Sequence, residues 1–370
     1  MKFSCLQENL GKALQIVSRA VASKSTLPIL SNVYINAHND KVTLAATNLE
    51  TAIITNMRAS VEEEGKTTIP ARPLKEFVST ISHDKIKAEL IKEVLHLSSN
   101  KTKSRFNGSS AEDFPELPAF PEKAKYIELD PQVFNSAVNI VAFASGSDST
   151  RPIFTGVNLQ YSGGKLTLVS TDGFRLSEKT INLDSKQKDF NAIIPAKTLV
   201  EISKIFSTSQ EPIKVTLSEN ENLILFKAED TYVASRLLDG QYVDYKKIIP
   251  TEFIVNAEFD TAEFLEAARL ANIFAKEEDN NAIKIRIDPD REIIQIKSLE
   301  GKTGEHTSDI DSKIEGDMIE IAFNAKYLLD FLNNVKSKRI KFSTNSNTSP
   351  CVLITEEYKD FQHIIMPMQI

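Results

Sequence analysis

Only two cysteines, Cys5 and Cys351, occur in 370 residues. Lying far apart in sequence, they do not suggest a disulfide framework or a metal site, and both read as buried free thiols. The five histidines, His38, His83, His96, His306 and His363, are scattered without metal-ligand spacing, so neither a metal nor another cofactor is expected. No apolar run approaches the roughly 18 residues that span a bilayer, which argues against a membrane partner. The opening residues Met1-Lys2-Phe3-Ser4-Cys5-Leu6 lack the apolar run and cleavage site of a signal peptide, and a cytoplasmic location is expected. There is no Walker-type phosphate loop and no Gly-x-Gly-x-x-Gly fingerprint. Ser162-Gly163-Gly164-Lys165 reads instead as a hairpin turn between Leu159 and Leu166. The stretch Thr171-Asp172-Gly173-Phe174-Arg175-Leu176 holds an acid and a base but no nucleophile beside a general base, and its Asp-Gly pair reads as a turn. These absences point away from an enzyme.

What the chain does contain is a repeat. Ile69-Pro70-Ala71-Arg72-Pro73-Leu74, Ile194-Pro195-Ala196-Lys197-Thr198-Leu199 and Phe323-Asn324-Ala325-Lys326-Tyr327-Leu328 share one design. Each has an apolar strand end, a helix-starting pair, a basic residue and a leucine that opens an apolar stripe. Recurrence at a long period means that one unit has been laid down repeatedly, and here the unit is domain-sized. Other landmarks keep step: Leu10 with Phe134 and Phe264, Val17 with Val141, Val33 with Val157 and Ile283, and Thr43-Leu44 with Thr167-Leu168. Three α+β domains are expected, over residues 1–125, 126–253 and 254–370, each long enough to bury its own core. The proline-spaced run Phe114 to Pro121 reads as a stiff linker at the first boundary, and Pro250 to Phe253 marks the second.

Helical periodicity runs from Gln7 to Ser23, with Leu10, Ala13, Leu14, Val17, Ala20 and Val21 on one face and Lys12, Gln15 and Arg19 opposite. Two strands follow around His38-Asn39-Asp40, then one long strand from Thr51 to Val61, and a second helix from Pro73. Further helices are expected over 130–146, 196–206, 260–276 and 324–338. Charges counted over the six helical stretches are net positive, whereas the whole chain carries −7. The helices thus read as the basic part of an acidic protein, which argues against coating nucleic acid with the whole surface but leaves room for a local basic face.

Several of these stretches, in order along the chain, resemble the beta subunit of bacterial DNA polymerase III. They are Met1-Lys2-Phe3, Thr26-Leu27-Pro28-Ile29-Leu30, Ile69-Pro70-Ala71-Arg72, Ser104-Arg105-Phe106, Thr171 to Leu176, Asp239-Gly240-Gln241-Tyr242 with Asp244-Tyr245, Phe323-Asn324, and Met366-Pro367-Met368. The resemblance implies a DNA-clamp fold of three tandem copies, two chains joined head to tail as a homodimeric ring, with helices lining the hole and sheets outside. It further implies a noncatalytic processivity factor that encircles double-stranded DNA. Its partners would be the DNA polymerase III alpha subunit, the clamp loader and repair polymerases, which dock through linear peptides.

The resemblance assigns DNA contact to Lys24, Arg72, Lys197, Lys326 and Arg151, to which helix phase adds Lys12 and Arg19. It assigns the peptide cleft to Phe154, Thr171, Gly173, Phe174, Arg175, Leu176, Val243, Lys247, Cys351, Ile365, Met366, Pro367 and Met368, and the ring joint to Arg105, Phe106, Ile273 and Phe274. The chain departs from the family pattern at Asp148, Phe174, Val243 and the Gln369-Ile370 end. A three-domain interaction scaffold that does not enclose DNA, or an enzyme acting on nucleic acid, are the competing expectations; the latter would need paired carboxylates with a metal.

Overall fold

The computed structural model describes residues 1–22, 26–82, 84–121, 125–184, 188–218, 222–276, 281–300 and 304–369. One element order recurs three times. The first copy runs β1 (Lys2–Leu6), α1 (Gln7–Val17), β2 (Asn32–His38), β3 (Lys41–Thr47), β4 (Thr51–Arg58), β5 (Ser60–Glu63), β6 (Gly65–Pro70), α2 (Ala71–Thr80), β7 (Lys85–Ile91), β8 (Val94–Ser99) and β9 (Thr102–Asn107). The second runs β10 (Ile127–Leu129), α3 (Pro131–Ala142), β11 (Gly156–Ser162), β12 (Lys165–Thr171), β13 (Arg175–Asn182), β14 (Phe190–Pro195), α4 (Ala196–Phe206), β15 (Ile213–Leu217), β16 (Leu223–Ala228) and β17 (Thr231–Arg236). The third runs β18 (Val255–Asp260), α5 (Thr261–Ala275), β19 (Ala282–Asp288), β20 (Ile293–Ser298), β21 (Thr307–Glu315), β22 (Ile319–Asn324), α6 (Ala325–Asn334), β23 (Arg339–Thr344), β24 (Cys351–Thr355) and β25 (Phe361–Ile365).

The chain packs as two compact units, residues 1–132 with 201–237 and residues 133–200 with 238–370. In the first unit, a five-stranded sheet β5-β1-β7-β8-β9 accompanies an eight-stranded sheet β10-β15-β16-β17-β4-β3-β2-β6. In the second, twelve strands run β14-β11-β12-β13-β25-β24-β23-β18-β21-β20-β19-β22. Half of the middle copy thus belongs to each unit, because its strands pair with a neighbouring copy. β4 pairs with β17, Thr51 opposite Ser235 and Thr55 opposite Thr231. β13 pairs with β25, Arg175 opposite Ile365 and Lys179 opposite Phe361.

Helix α1 buries Leu10, Ala13, Leu14 and Val17, as its periodicity requires, but stops at Val17 and tightens into a 3-10 turn, Ser18–Ala20. The Ser18 hydroxyl donates to the Leu14 carbonyl at 2.5 Å, a competing bond that favours this ending. The expected strand from Thr51 to Val61 is two strands, since after Arg58 the chain leaves β3 and pairs with β1. Helix α4 keeps its expected bounds and α2 begins two residues before Pro73, whereas α3, α5 and α6 are shorter than expected. Each of these three starts one residue late because Asp130, Asp260 and Asn324 act as caps ahead of the first turn, their side chains accepting backbone amides of Gln132, Ala262 and Lys326. With these bounds Arg19, Lys276, Lys336 and Lys338 fall beyond the helix ends, so the helices themselves are close to neutral. Asn39 and Asp40, with φ of 47° and 55°, form the β2–β3 turn, and Gly163 and Gly164, with φ of 56° and 79°, form the β11–β12 turn. Positive φ at both central residues matches the twist of the flanking strands.

Candidate functional site

An apolar cavity of about 180 Å³ opens on the second unit where β12 turns into β13. Its floor is Leu176 and Ile364, directly opposite each other on β13 and β25 and packed with Val169, Ile193, Tyr242, Tyr245 and Val352. Phe154, Val243, Ile248 and Met366 complete the wall. The turn that forms one lip is tied down by side chains. Asp172 Oδ1 accepts the amides of Phe174 and Arg175 at 2.9 and 3.0 Å, and the Thr171 hydroxyl accepts the Gly173 amide while donating to the Arg175 carbonyl. Gly173 sits at φ 94°, a region that a side chain rarely adopts. The Met366 amide donates to the Phe174 carbonyl at 2.8 Å and so fixes the end of β25 against this lip.

Beneath the lip lies Arg175, only 7% exposed. Its Nε donates to Asp172 at 3.1 Å, Nη1 to Asp330 at 2.6 Å, and Nη2 to the Phe143 carbonyl at 3.0 Å. The guanidinium also lies over the Tyr327 ring, 4.7 Å from its centroid. A buried cation is tolerated only when paired and hydrogen-bonded, and three acceptors meet that need. Burial pushes the phenols of Tyr242 and Tyr245 well above their ordinary range, so both remain neutral at the cavity edge. Phe174, Val243 and Ile248 are 54%, 41% and 47% exposed. Three large apolar side chains thus stand in water around one cavity, a contiguous patch rather than scattered exposure.

Eight of the residues expected in the cleft come together here: Phe154, Thr171, Gly173, Phe174, Arg175, Leu176, Val243 and Met366. Five stand off the wall. Lys247 is exposed and paired with Asp244 at 2.7 Å. Cys351 is sealed under the sheet, opposite Ile365, and burial pushes its thiol up to about 12. Ile365 itself is fully buried and alternates to the far face from Ile364. Pro367 and Met368 lie past the cavity, where the Met368 amide donates to the Ala322 carbonyl. Residue-by-residue expectation missed Asp244, Tyr245, Ile248 and Ile364. The Asp244-Tyr245 pair stood within a recognised stretch, and strand alternation would have signalled Ile364.

Arg72, Lys197 and Lys326 are the second residues of α2, α4 and α6, and all three are exposed. None of those helices has an acid in its first turn. A cation at the positive end of a helix dipole is locally unfavourable, by roughly 0.3–1 kcal/mol, and this placement recurs in all three copies. Arg72 is partly neutralised by Glu76 at 3.0 Å, whereas Lys197 and Lys326 make no ion pair among the described residues. Lys12 is exposed on α1. Arg19 is engaged by Glu201, which also holds Lys204. Arg151 faces Asp148 at 3.8 Å and lies over the Phe154 ring at 5.2 Å. Lys24 lies outside the described residues.

Arg105 and Phe106 are on β9, the end strand of its sheet, with Phe106 edge-on to Phe77 at 5.4 Å. Ile273, near the end of α5, is 52% exposed, and Phe274 stacks on His306 at 6.3 Å. Among the described residues no group of histidine, cysteine, aspartate or glutamate is arranged to hold a metal ion, and no helix is long and apolar enough to cross a membrane.

Three tandem α+β copies, linked strand edge to strand edge and carrying an apolar cleft where the second meets the third, define a clamp-type chain. The chain belongs to the DNA polymerase III beta subunit family: its N-terminal, central and C-terminal domain profiles match residues 1–118, 128–244 and 246–369. Relatives along the full length include the beta sliding clamps of Synechococcus elongatus, 31% identical over 375 residues, and Bacillus subtilis, 31% identical over 384, each alignment covering 100% of both chains. Among solved structures, the Bacillus subtilis DNA polymerase sliding clamp is 29% identical with a TM-score of 0.94, covering 100% of this chain and 99% of that one. The beta subunit of Streptococcus pyogenes DNA polymerase is 26% identical with a TM-score of 0.95, covering 100% of both.

Proposed function

We propose that this chain is a noncatalytic DNA sliding clamp, with domains at 1–125, 126–253 and 254–370, that closes as a head-to-tail homodimer around double-stranded DNA. Its helices line the hole and its sheets face outward. The DNA polymerase III alpha subunit, the clamp loader and repair polymerases dock by linear peptides in the cavity around Leu176 and Met366, and the protein works in the cytoplasm.

The observation that carries this reading is the one-way sharing of strand edges. β4 of the first copy takes β17 of the second, and β13 of the second takes β25 of the third, in matching register. Among the described residues, the equivalent segment of β21, Thr307–Asp311, pairs with β20 alone, and β9 pairs with β8 alone. One chain is therefore left with one unmatched edge of each kind, and two such chains satisfy each other by a heterologous contact that closes. Carrying the register over sets Arg105 opposite Glu305, and Phe106 opposite Gly304. Among the described residues Glu305 pairs with the half-buried Lys297 at 3.0 Å. A Cβ at Gly304 would lie 3.4 Å from the Phe274 ring, so Phe106 would arrive at an aromatic and aliphatic patch that includes Ile273.

Within the ring, Arg72, Lys197 and Lys326 contact phosphates without reading bases, which gives weak, salt-sensitive and sequence-neutral binding. Processivity then follows from topology, because the tethered polymerase stays at high effective concentration near its template. The test is retention on circular nicked DNA after loading: the protein is expected to stay on the circle and to run off when the circle is cut. Equal retention on linear and circular DNA would sink the proposal.

A further inference from the structure

We propose that the peptide cleft and helix α6 are coupled through Arg175, so that a peptide in the cavity and a duplex against α6 weaken each other's binding. This deepens the reading above and rests on it.

Two consecutive cleft residues bear on α6. Phe174, at the rim, stacks on Tyr327 with ring centroids 6.3 Å apart and planes 18° from parallel. Arg175 lines the cavity, lies over the same ring, and reaches Asp330. Tyr327 follows Lys326 directly, and Asp330 stands four residues, about one turn, beyond Lys326. The guanidinium spends three of its five N–H groups on protein acceptors. Of its two carboxylate partners, Asp172 is sealed at 14% side-chain exposure, whereas Asp330 is 34% exposed. The Asp330 bond is thus the one that can be exchanged.

Two arrangements follow, with the Arg175–Asp330 bond made or released. A peptide carbonyl entering the cavity competes with Asp330 for the guanidinium and favours release. A phosphate drawn to Lys326 repels the Asp330 carboxylate and raises the value of its pairing with the Arg175 cation, which favours the bond. Each ligand biases the same contact in opposite directions, which is the condition for a coupling free energy, and linkage makes the effect reciprocal.

The experiment titrates a short fluorescein-labelled peptide bearing a leucine and a phenylalanine with the full chain, with and without a saturating short duplex at low salt. Peptide affinity is expected to fall about fivefold with duplex present, the lower end of usual coupling strengths. Reciprocally, saturating peptide is expected to weaken duplex binding by the same factor. In Asp330→Asn the ratio is expected to approach one, while peptide affinity without duplex does not fall. Equal or tighter peptide binding on duplex in the unaltered protein, or an unchanged ratio in Asp330→Asn, would overturn the coupling and leave the cleft reading standing. A peptide that binds in neither condition would overturn both. The reciprocal measurement needs no variant and decides the matter should Asp330→Asn fail to fold.

Discussion

The Nδ1 atom of His363 lies 2.7 Å from the hydroxyl of Ser177, and this buried pair joins β25 to β13. The ring stacks on Phe331 at 4.9 Å and leans on Phe143 at 5.2 Å, and its Nε2 has no hydrogen-bond partner among the described residues. Burial, with the nearby Arg175 charge adding to it, holds this imidazole well below its usual range. It stays neutral in the fold where the unfolded chain would protonate. The stability it contributes is therefore complete above a pH of about 6.5 and is lost progressively as pH falls below that value. Urea midpoints measured between pH 8 and 5 should fall toward the acid side, and His363→Asn should flatten that dependence by about one proton. An unaltered slope in the variant would show that another group is responsible.

The proposed register at the ring joint is testable by charge exchange. Arg105→Glu should set two acids opposite each other and shift the dimer to monomer at micromolar concentration in native mass spectra. The double variant Arg105→Glu with Glu305→Arg should restore the dimer. Loss without rescue would mean that the strands meet in another register.

Lys197→Ala and Lys326→Ala should each lower the slope of log affinity against log salt for duplex DNA by about 0.9, the value for one lost phosphate contact. Arg72→Ala should lower it less, because Glu76 already neutralises part of that charge. Affinities measured over a range of salt concentrations check both; a larger effect at Arg72 would reverse the assignment.

In the cleft, Met366→Ala combined with Leu176→Ala should abolish peptide binding while the dimer mass is kept. Leu176 is 1% exposed, so its truncation should also cost about 2–5 kcal/mol of stability, seen as an earlier urea transition. Loss of dimer together with peptide binding would show that this surface serves assembly instead.

The threefold order of elements was legible because each copy repeats an apolar strand end and a helix start, signals that are local and periodic. Strands β1 and β10 were not foreseen. Each is five residues or fewer, and β1 hides Phe3, Ser4 and Cys5 in succession, which removes the alternation that betrays a strand. Helix ends were misjudged where a cap or a serine back-bond, rather than the apolar stripe, decides them. The role of Asp172 was half visible: a turn former, as expected, but also an ion-pair partner of Arg175, whose other carboxylate lies 155 residues away in sequence. Contacts of that span leave no periodic trace, and for the same reason Cys351 and Ile365 could not be told from cavity-lining neighbours until strand facing was known.

The passing of one strand edge from each copy to the next gives the chain a polarity that no single domain possesses. A chain with one copy more or one fewer would end in the same two unmatched edges. How many copies complete a closed circle is then a matter of the bend introduced at each junction, not of which residues stand at the last one, and two chains fused in tandem should need a single noncovalent junction to close.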